Sequence, residues 1–126
     1  MKILVIEDHP AQLKLAHHVL SAAGHDVNDA EAAEAALLAI KTDRPQLILL
    51  DLLLPDIDGL TLVRRLKADP ETRDIHVVAV TSYPEAYPKA AVLAAGCDAY
   101  IVKPINTREL PRQLDAIAVR DEKAGA

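Results

Sequence analysis

Residues 46–59 read QLILLDLLLPDIDG, and this stretch gives the clearest indication of the fold. Residues 46–50 are almost continuously aliphatic and do not alternate between apolar and polar side chains. Such a run is typical of a strand covered on both faces, as in a parallel sheet packed between helices. Asp51 follows directly, which predicts a carboxylate at the carboxyl end of that strand. Pro55 and Gly59 then favour a tight turn before the next helix.

Similar short apolar runs recur along the chain. They are residues 2–6 (KILVI), 77–80 (VVAV) and 100–102 (YIV), and a weaker, polar stretch at 25–29 predicts an edge strand. Between the runs, apolar side chains return at helical spacing, as Leu13, Ala16 and Leu20 do. This regular alternation of strand and helix predicts an α/β fold: a doubly wound five-stranded parallel sheet with helices on both faces.

The predicted helix ends carry their own signals. Gly24 favours the end of the first helix, and Pro88 favours the start of the fourth, because proline fits a first helical turn and disrupts a helix interior. Asn106 and Glu109 have the spacing of a capping box at the start of the fifth helix. Residues 120–126 lack an apolar pattern and are expected to fray. We therefore predict one domain over residues 1–119 and a short tail over residues 120–126.

Composition excludes several classes of protein. The chain has 126 residues, 51% of them hydrophobic, which is enough for a core without disulfides or metals. Its single cysteine cannot form an internal disulfide, and its first apolar run is too short for a signal peptide or a membrane span. A net charge of −5 and 2% aromatic residues argue against nucleic-acid binding. We expect a cytoplasmic protein.

Polar residues stand at the ends of four predicted strands: Glu7-Asp8, Asp51, Thr81 and Lys103-Pro104. In doubly wound sheets the site forms at the carboxyl ends of the strands. Converging carboxylates repel one another by about 4 kcal/mol per pair at ~4 Å. Mg²⁺, which prefers a few carboxylates with water and phosphate oxygens, relieves that repulsion. With a lysine and a hydroxyl nearby, the set suits phosphoryl transfer to an aspartate nucleophile.

These residues resemble the receiver domain of bacterial two-component response regulators over essentially the whole chain. The resemblance rests on Glu7-Asp8, on Asp51 with Pro55 and Gly59, on Thr81 and on Lys103-Pro104, in that order and spacing. It implies a flavodoxin-like (βα)5 fold with strand order 2-1-3-4-5. It also implies that the protein catalyses only its own phosphorylation and dephosphorylation and is not otherwise an enzyme.

The resemblance also implies a role for each site residue. Asp51 is the phosphoacceptor, and Thr81 and Lys103 contact the phosphoryl oxygens. Asp8, Asp51 and the main-chain carbonyl of Leu53 bind Mg²⁺, for which Mn²⁺ can substitute, and Glu7 binds through water. Tyr100 matches the family's switch aromatic, although a plain core role is an alternative. The Lys103–Pro104 bond is often cis in this family, a form that only bonds preceding proline adopt at low cost.

Two bulky residues are expected to tune the chemistry. Leu53 and Tyr83 stand two positions beyond Asp51 and Thr81, where family members line the path of the attacking water. Large side chains there favour a long-lived phosphoryl group.

The expected phosphodonor is a sensor histidine kinase or a histidine phosphotransfer protein, and the expected output is contact with a downstream protein. We expect a single-domain regulator that is a monomer or a phosphorylation-dependent dimer.

Three other functions fit parts of the pattern. A haloacid-dehalogenase type phosphatase needs a second acid two residues after its nucleophile, where this chain has Leu53. A flavin or nucleotide binder needs a phosphate-binding loop after the first strand, whereas Glu7-Asp8 is anionic. A degenerate receiver that only binds proteins is the third alternative, although no site residue is missing. The five histidines show no metal-ligand spacing, and Cys97 is expected to be a buried thiol.

Overall fold

The computed structural model describes the backbone of residues 1–125 and the side chains of residues 1–118. Its strands are β1 (Lys2–Ile6), β2 (Asp26–Ala30), β3 (Leu47–Asp51), β4 (His76–Thr81) and β5 (Ala99–Val102). Its helices are α1 (Pro10–Ala22), α2 (Ala33–Thr42), α3 (Gly59–Ala68), α4 (Lys89–Ala94) and α5 (Leu110–Gly125). No helix in the described part is long and apolar enough to span a membrane.

The five strands form one parallel sheet in the order β2-β1-β3-β4-β5. This confirms the predicted fold class and strand order. The polar strand β2 lies at an edge, as expected, although it covers residues 26–30 and not 25–29. The central strand β3 is buried along its whole length, in agreement with its continuous aliphatic sequence.

Alternate residues of the central strands face two separate hydrophobic clusters. On one face, Leu49 of β3 packs with α1 and α5, whose buried residues include Leu20 and Leu114. On the other, Leu50 packs with α2, α3 and α4, which contribute residues such as Leu62. Burying a leucine contributes about 1.5–3 kcal/mol, so both layers stabilise the sheet. Between them, the layers hold the strand ends in place.

The end of α1 at Gly24 agrees with the prediction, whereas the start of α4 and the extent of α5 differ from it. Gly24 adopts a left-handed φ of 95° just beyond α1, where a residue with a Cβ is disfavoured. Pro88 has extended backbone angles and precedes α4, so the regular helix begins one residue later, at Lys89. The side-chain oxygen of Asn106 accepts from the backbone N–H of Glu109 at 3.2 Å, in a turn that precedes α5. Helix α5 runs to Gly125 and so includes most of the predicted tail.

Candidate phosphoacceptor site

Four strand ends converge at one edge of the sheet. Asp51 is the last residue of β3 and Thr81 the last of β4, while Glu7 follows β1 and Lys103 follows β5. A cleft of about 320 Å³ opens here. It is lined by Glu7, Asp8, His9, Gln12, Asp51, Leu53, Leu54, Pro55, Ser82, Tyr83 and Lys103. Parallel strands thus bring together residues far apart in sequence.

Three carboxylates line the cleft. Glu7, Asp8 and Asp51 each offer one oxygen, and these oxygens lie within 4.8 Å of one another. Glu7 and Asp51 are only 5% and 8% exposed, whereas Asp8 is exposed. At such distances each charged pair repels by about 3–4 kcal/mol at an effective dielectric of 20. Hard oxygen donors in this number fit a small divalent cation that keeps some of its waters.

The pKa of Glu7 is raised by its position in the cleft. Burial, together with the neighbouring Asp51, raises the pKa of Glu7 from 4.5 to about 7, although Lys103 opposes the shift. Its backbone N–H donates to the carbonyl of Ala30 at 3.0 Å, which fixes the chain at the end of β1. Around neutral pH, therefore, Glu7 is partly protonated when no cation is bound.

Lys103 supplies the positive charge of the cleft. Its ammonium group donates to Glu7 Oε1 at 2.6 Å, to Asp51 Oδ2 at 3.2 Å and to Gln12 Oε1. Burial lowers the pKa of Lys103, but its contacts with Glu7 and Asp51 outweigh burial, so that pKa is raised. Lys103 therefore stays charged beside Asp51. The peptide bond from Lys103 to Pro104 is cis.

The loop after Asp51 is held by close backbone contacts. The backbone N–H of Leu53 donates to Asp51 Oδ1 at 3.1 Å, and that of Gly59 donates to the carbonyl of Leu52 at 2.8 Å. A Cβ on Gly59 would lie 2.5 Å from Leu52 Cα, so only glycine fits. Leu53 and Tyr83 both line the cleft and are 50% and 52% exposed.

Thr81 and Tyr100 lie outside the lining of the cleft. Thr81 is fully buried, and its Oγ1 accepts from the backbone N–H of Tyr83 at 2.9 Å. The half-buried Tyr100 donates its hydroxyl to the carbonyl of Tyr87 at 2.6 Å. Both residues therefore hydrogen-bond to the loop between β4 and α4, and neither forms a hydrogen bond with Asp51 in this conformation.

Sequence reasoning missed three contacts around the site. Gln12 bonds Lys103 from α1. Tyr87 donates its hydroxyl to Asp58 Oδ1 at 2.5 Å, and burial together with this bond raises the pKa of Tyr87 to about 12. Asp56 accepts from the backbone N–H of Ala33 and of Glu34 at 2.9 Å each, and so caps α2 from another loop. A short polar residue in a turn is the only sequence signal for such a cap.

His17, His25 and Cys97 lie outside the lining of the cleft, whereas His9 forms part of it. His17 pairs with Asp29 at 2.7 Å, and His25 lies 3.4 Å from Asp115. Among the described residues, the carboxylates of the cleft are the only group of three or more histidine, cysteine or acidic side chains placed to hold a metal ion. Cys97 is buried, as predicted, and burial raises the pKa of its thiol to about 11.

Residues 3–115 match the model of the response regulator receiver domain family. The chain therefore belongs to this family. It is 34% identical to the polar-differentiation response regulator DivK of Brucella anthropi over 115 residues, 91% of each chain. It also matches two longer transcriptional regulators, of which it spans only about half (51% and 52%).

Solved structures agree with this family. A CheY-like receiver domain protein from Methanospirillum hungatei has a TM-score of 0.89 at 30% identity, covering 98% of this chain and 97% of that one. The Mn²⁺-bound form of response regulator Rcp1 has a TM-score of 0.77 at 28% identity, covering 92% of this chain and 90% of that one. The fold of this chain is thus that of receiver domains.

Proposed function

We propose that this chain is a phosphoacceptor switch of a two-component phosphorelay, in which Asp51 accepts a phosphoryl group. One observation carries the proposal: a largely buried aspartate at the end of the central strand lies beside two further carboxylates and a lysine. One carboxylate oxygen of Asp51 lies within 4.8 Å of an oxygen of Glu7 and of an oxygen of Asp8. Lys103 Nζ lies 3.2 Å from Asp51 Oδ2. Membership of the receiver family supports the same role.

The transfer is a displacement at phosphorus. A carboxylate oxygen of Asp51 forms a bond to the phosphorus of a phosphohistidine, and the bond from phosphorus to the imidazole nitrogen breaks. The electron pair stays on that nitrogen, and Asp51 becomes an acyl phosphate. Lys103 neutralises charge on the phosphoryl oxygens, which is the main task of a protein in this reaction. The donor is a sensor histidine kinase or a histidine phosphotransfer protein.

The donor set fits Mg²⁺, with Mn²⁺ as a substitute. Asp8, Asp51 and the main-chain carbonyl of Leu53 would hold the ion, and Glu7 would bind it through water. When bound, the cation neutralises the carboxylates and the phosphoryl oxygens. The Mn²⁺-bound form of the related Rcp1 supports this assignment. Phosphoryl uptake should therefore depend on a divalent cation.

The output is a change in the surface formed by α4, β5 and α5. Thr81 would turn its hydroxyl from Tyr83 towards a phosphoryl oxygen, moving the loop between β4 and α4 inward. Tyr100 would then leave the carbonyl of Tyr87, to which it now donates. A phosphoryl group shifts this equilibrium only through its different affinity for the two states. The altered surface would bind a downstream protein or a second phosphorylated copy of the chain.

Several further assignments belong to this proposal. The receiver domain occupies residues 1–119, acts in the cytoplasm and does not itself bind nucleic acid, in line with its net charge of −5. The exposed side chains of Leu53 and Tyr83 shield the acyl phosphate from water and prolong its life. Beyond its own phosphorylation and dephosphorylation, the domain catalyses no reaction.

Intact mass spectrometry tests the function. The protein is incubated with acetyl phosphate and Mg²⁺, and then with a chelator in place of Mg²⁺. We expect one phosphoryl adduct, which requires the metal and is lost in Asp51→Asn. Asp74→Asn, which removes an exposed carboxylate away from the cleft, should behave as the unmutated protein. An adduct that persists in Asp51→Asn contradicts the assignment.

A further inference from the structure

The ammonium group of Lys103 has a partner that the proposed chemistry leaves without a role. Besides Glu7 Oε1 and Asp51 Oδ2, Nζ donates to the side-chain oxygen of Gln12. An ammonium group has three N–H donors and no acceptor. Each N–H therefore has its own partner. The hydrogen bonds to Glu7 and Gln12 together determine whether the third N–H points at Asp51.

Gln12 offers this contact from a rigid position. It is the third residue of α1, which begins at Pro10. The next residue, Leu13, is buried against the sheet, and its backbone N–H donates to the carbonyl of His9 at 3.0 Å. Lys103, in contrast, carries its charge on a flexible four-carbon stem. The contact thus ties a flexible side chain to a fixed helix.

The side-chain amide of Gln12 is well suited to a position beside Lys103 and the three carboxylates of the cleft. A fourth carboxylate would add repulsion to Glu7, Asp8 and Asp51, whereas an amide oxygen accepts a hydrogen bond without a net charge. The contact of Lys103 with Glu7, at 2.6 Å, is shorter than its contact with Asp51, at 3.2 Å. Without a third partner, the ammonium group is free to turn towards Glu7 and away from the phosphoacceptor.

We propose that Gln12 is a positioning residue, which holds Lys103 so that one N–H points at Asp51, where the phosphoryl oxygens arrive. This inference rests on the proposed function. In this role Gln12 acts only through Lys103 and is a ligand of neither the phosphoryl group nor the metal. Its removal should therefore slow phosphoryl transfer and leave metal binding unchanged.

The test uses Gln12→Met, which keeps an unbranched side chain of similar length and removes the oxygen acceptor. Gln113→Met is the matched control, because Gln113 is exposed on α5. Phosphorylation rates are measured by intact mass against acetyl phosphate concentration at saturating Mg²⁺. We expect the maximal rate of Gln12→Met to fall about tenfold, as for loss of a hydrogen bond to a charged group. Mg²⁺ affinity and the thermal midpoint should match those of the control.

A second measurement observes Lys103 without any phosphodonor. NMR relaxation of its ε-methylene group reports how tightly the side chain is held. We expect lower order in Gln12→Met than in the unmutated protein and in Gln113→Met. Unchanged order, or a maximal rate equal to that of the control, overturns the inference and leaves the proposed function standing. If the unmutated protein takes up no phosphoryl group at all, both fall.

Discussion

The protonation of Glu7 makes the metal-free protein sensitive to pH. Its pKa is raised from 4.5 to about 7, so between these values the folded chain binds more protons than the unfolded chain. Stability falls with rising pH wherever the folded state binds more protons. The free energy of unfolding of the metal-free protein should therefore fall as pH rises from about 4.5, and level off above about 7.

Glu7→Gln removes this ionisation and keeps an oxygen that can accept from Lys103. Each pKa unit corresponds to 1.36 kcal/mol, so a shift from 4.5 to about 7 corresponds to at most about 3 kcal/mol. We expect Glu7→Gln to be more stable than the unmutated protein by up to that amount at pH 8, and nearly equal at pH 4.5. In a chain of this length, ~3 kcal/mol raises the melting temperature by roughly 10 °C.

Urea unfolding followed by far-ultraviolet circular dichroism, in the presence of EDTA, measures the difference. Glu85→Gln is the control, because Glu85 is exposed and far from the three carboxylates of the cleft in sequence. Saturating Mg²⁺ should reduce the advantage of Glu7→Gln by stabilising the unmutated protein. The reasoning is refuted if Glu7→Gln is no more stable than the unmutated protein at pH 8.

Three further predictions concern other parts of the molecule. Gly59→Ala should lose roughly 2–3 kcal/mol of unfolding free energy, because the new Cβ would lie 2.5 Å from Leu52 Cα. A urea midpoint equal to that of the unmutated protein would contradict the predicted clash. Thr81→Ala should still accept a phosphoryl group, but NMR with beryllofluoride should show no shifts on the surface of α4, β5 and α5; shifts like those of the unmutated protein show that coupling bypasses this hydroxyl. Because the pKa of Cys97 is about 11, roughly one thiol in a thousand is ionised at pH 8. Iodoacetamide should therefore label native Cys97 far more slowly than the unfolded chain, and equal rates would contradict its burial.

The sequence predicted the sheet and the place of the site because both depend on chain order. A continuous aliphatic run such as residues 46–50 indicates a central strand, and the residue after it must lie at the carboxyl edge. Parallel pairing then brings Glu7 and Asp51 together, whatever the loops do. The pairing of β1 with β3 observed in the structure follows this logic.

Contacts between side chains on separate loops were not predictable. Tyr87 and Asp58 are 29 residues apart, and Gln12 and Lys103 are 91 apart. Such pairs depend on loop conformation and rotamers, which leave no periodic pattern in a sequence. The start of α4 shifted by one residue for a related reason, since Pro88 favours extended backbone as readily as a first helical turn.

Chemical trapping of the acyl phosphate tests whether Asp51 is the phosphoacceptor. The protein is treated with acetyl phosphate and Mg²⁺, reduced with borohydride and digested, and the peptides are sequenced by mass spectrometry. Reduction of an aspartyl phosphate gives homoserine at the modified position. We expect homoserine at Asp51 alone, and only when Mg²⁺ was present. Homoserine at Asp8, Asp56 or Asp58, with none at Asp51, would contradict it.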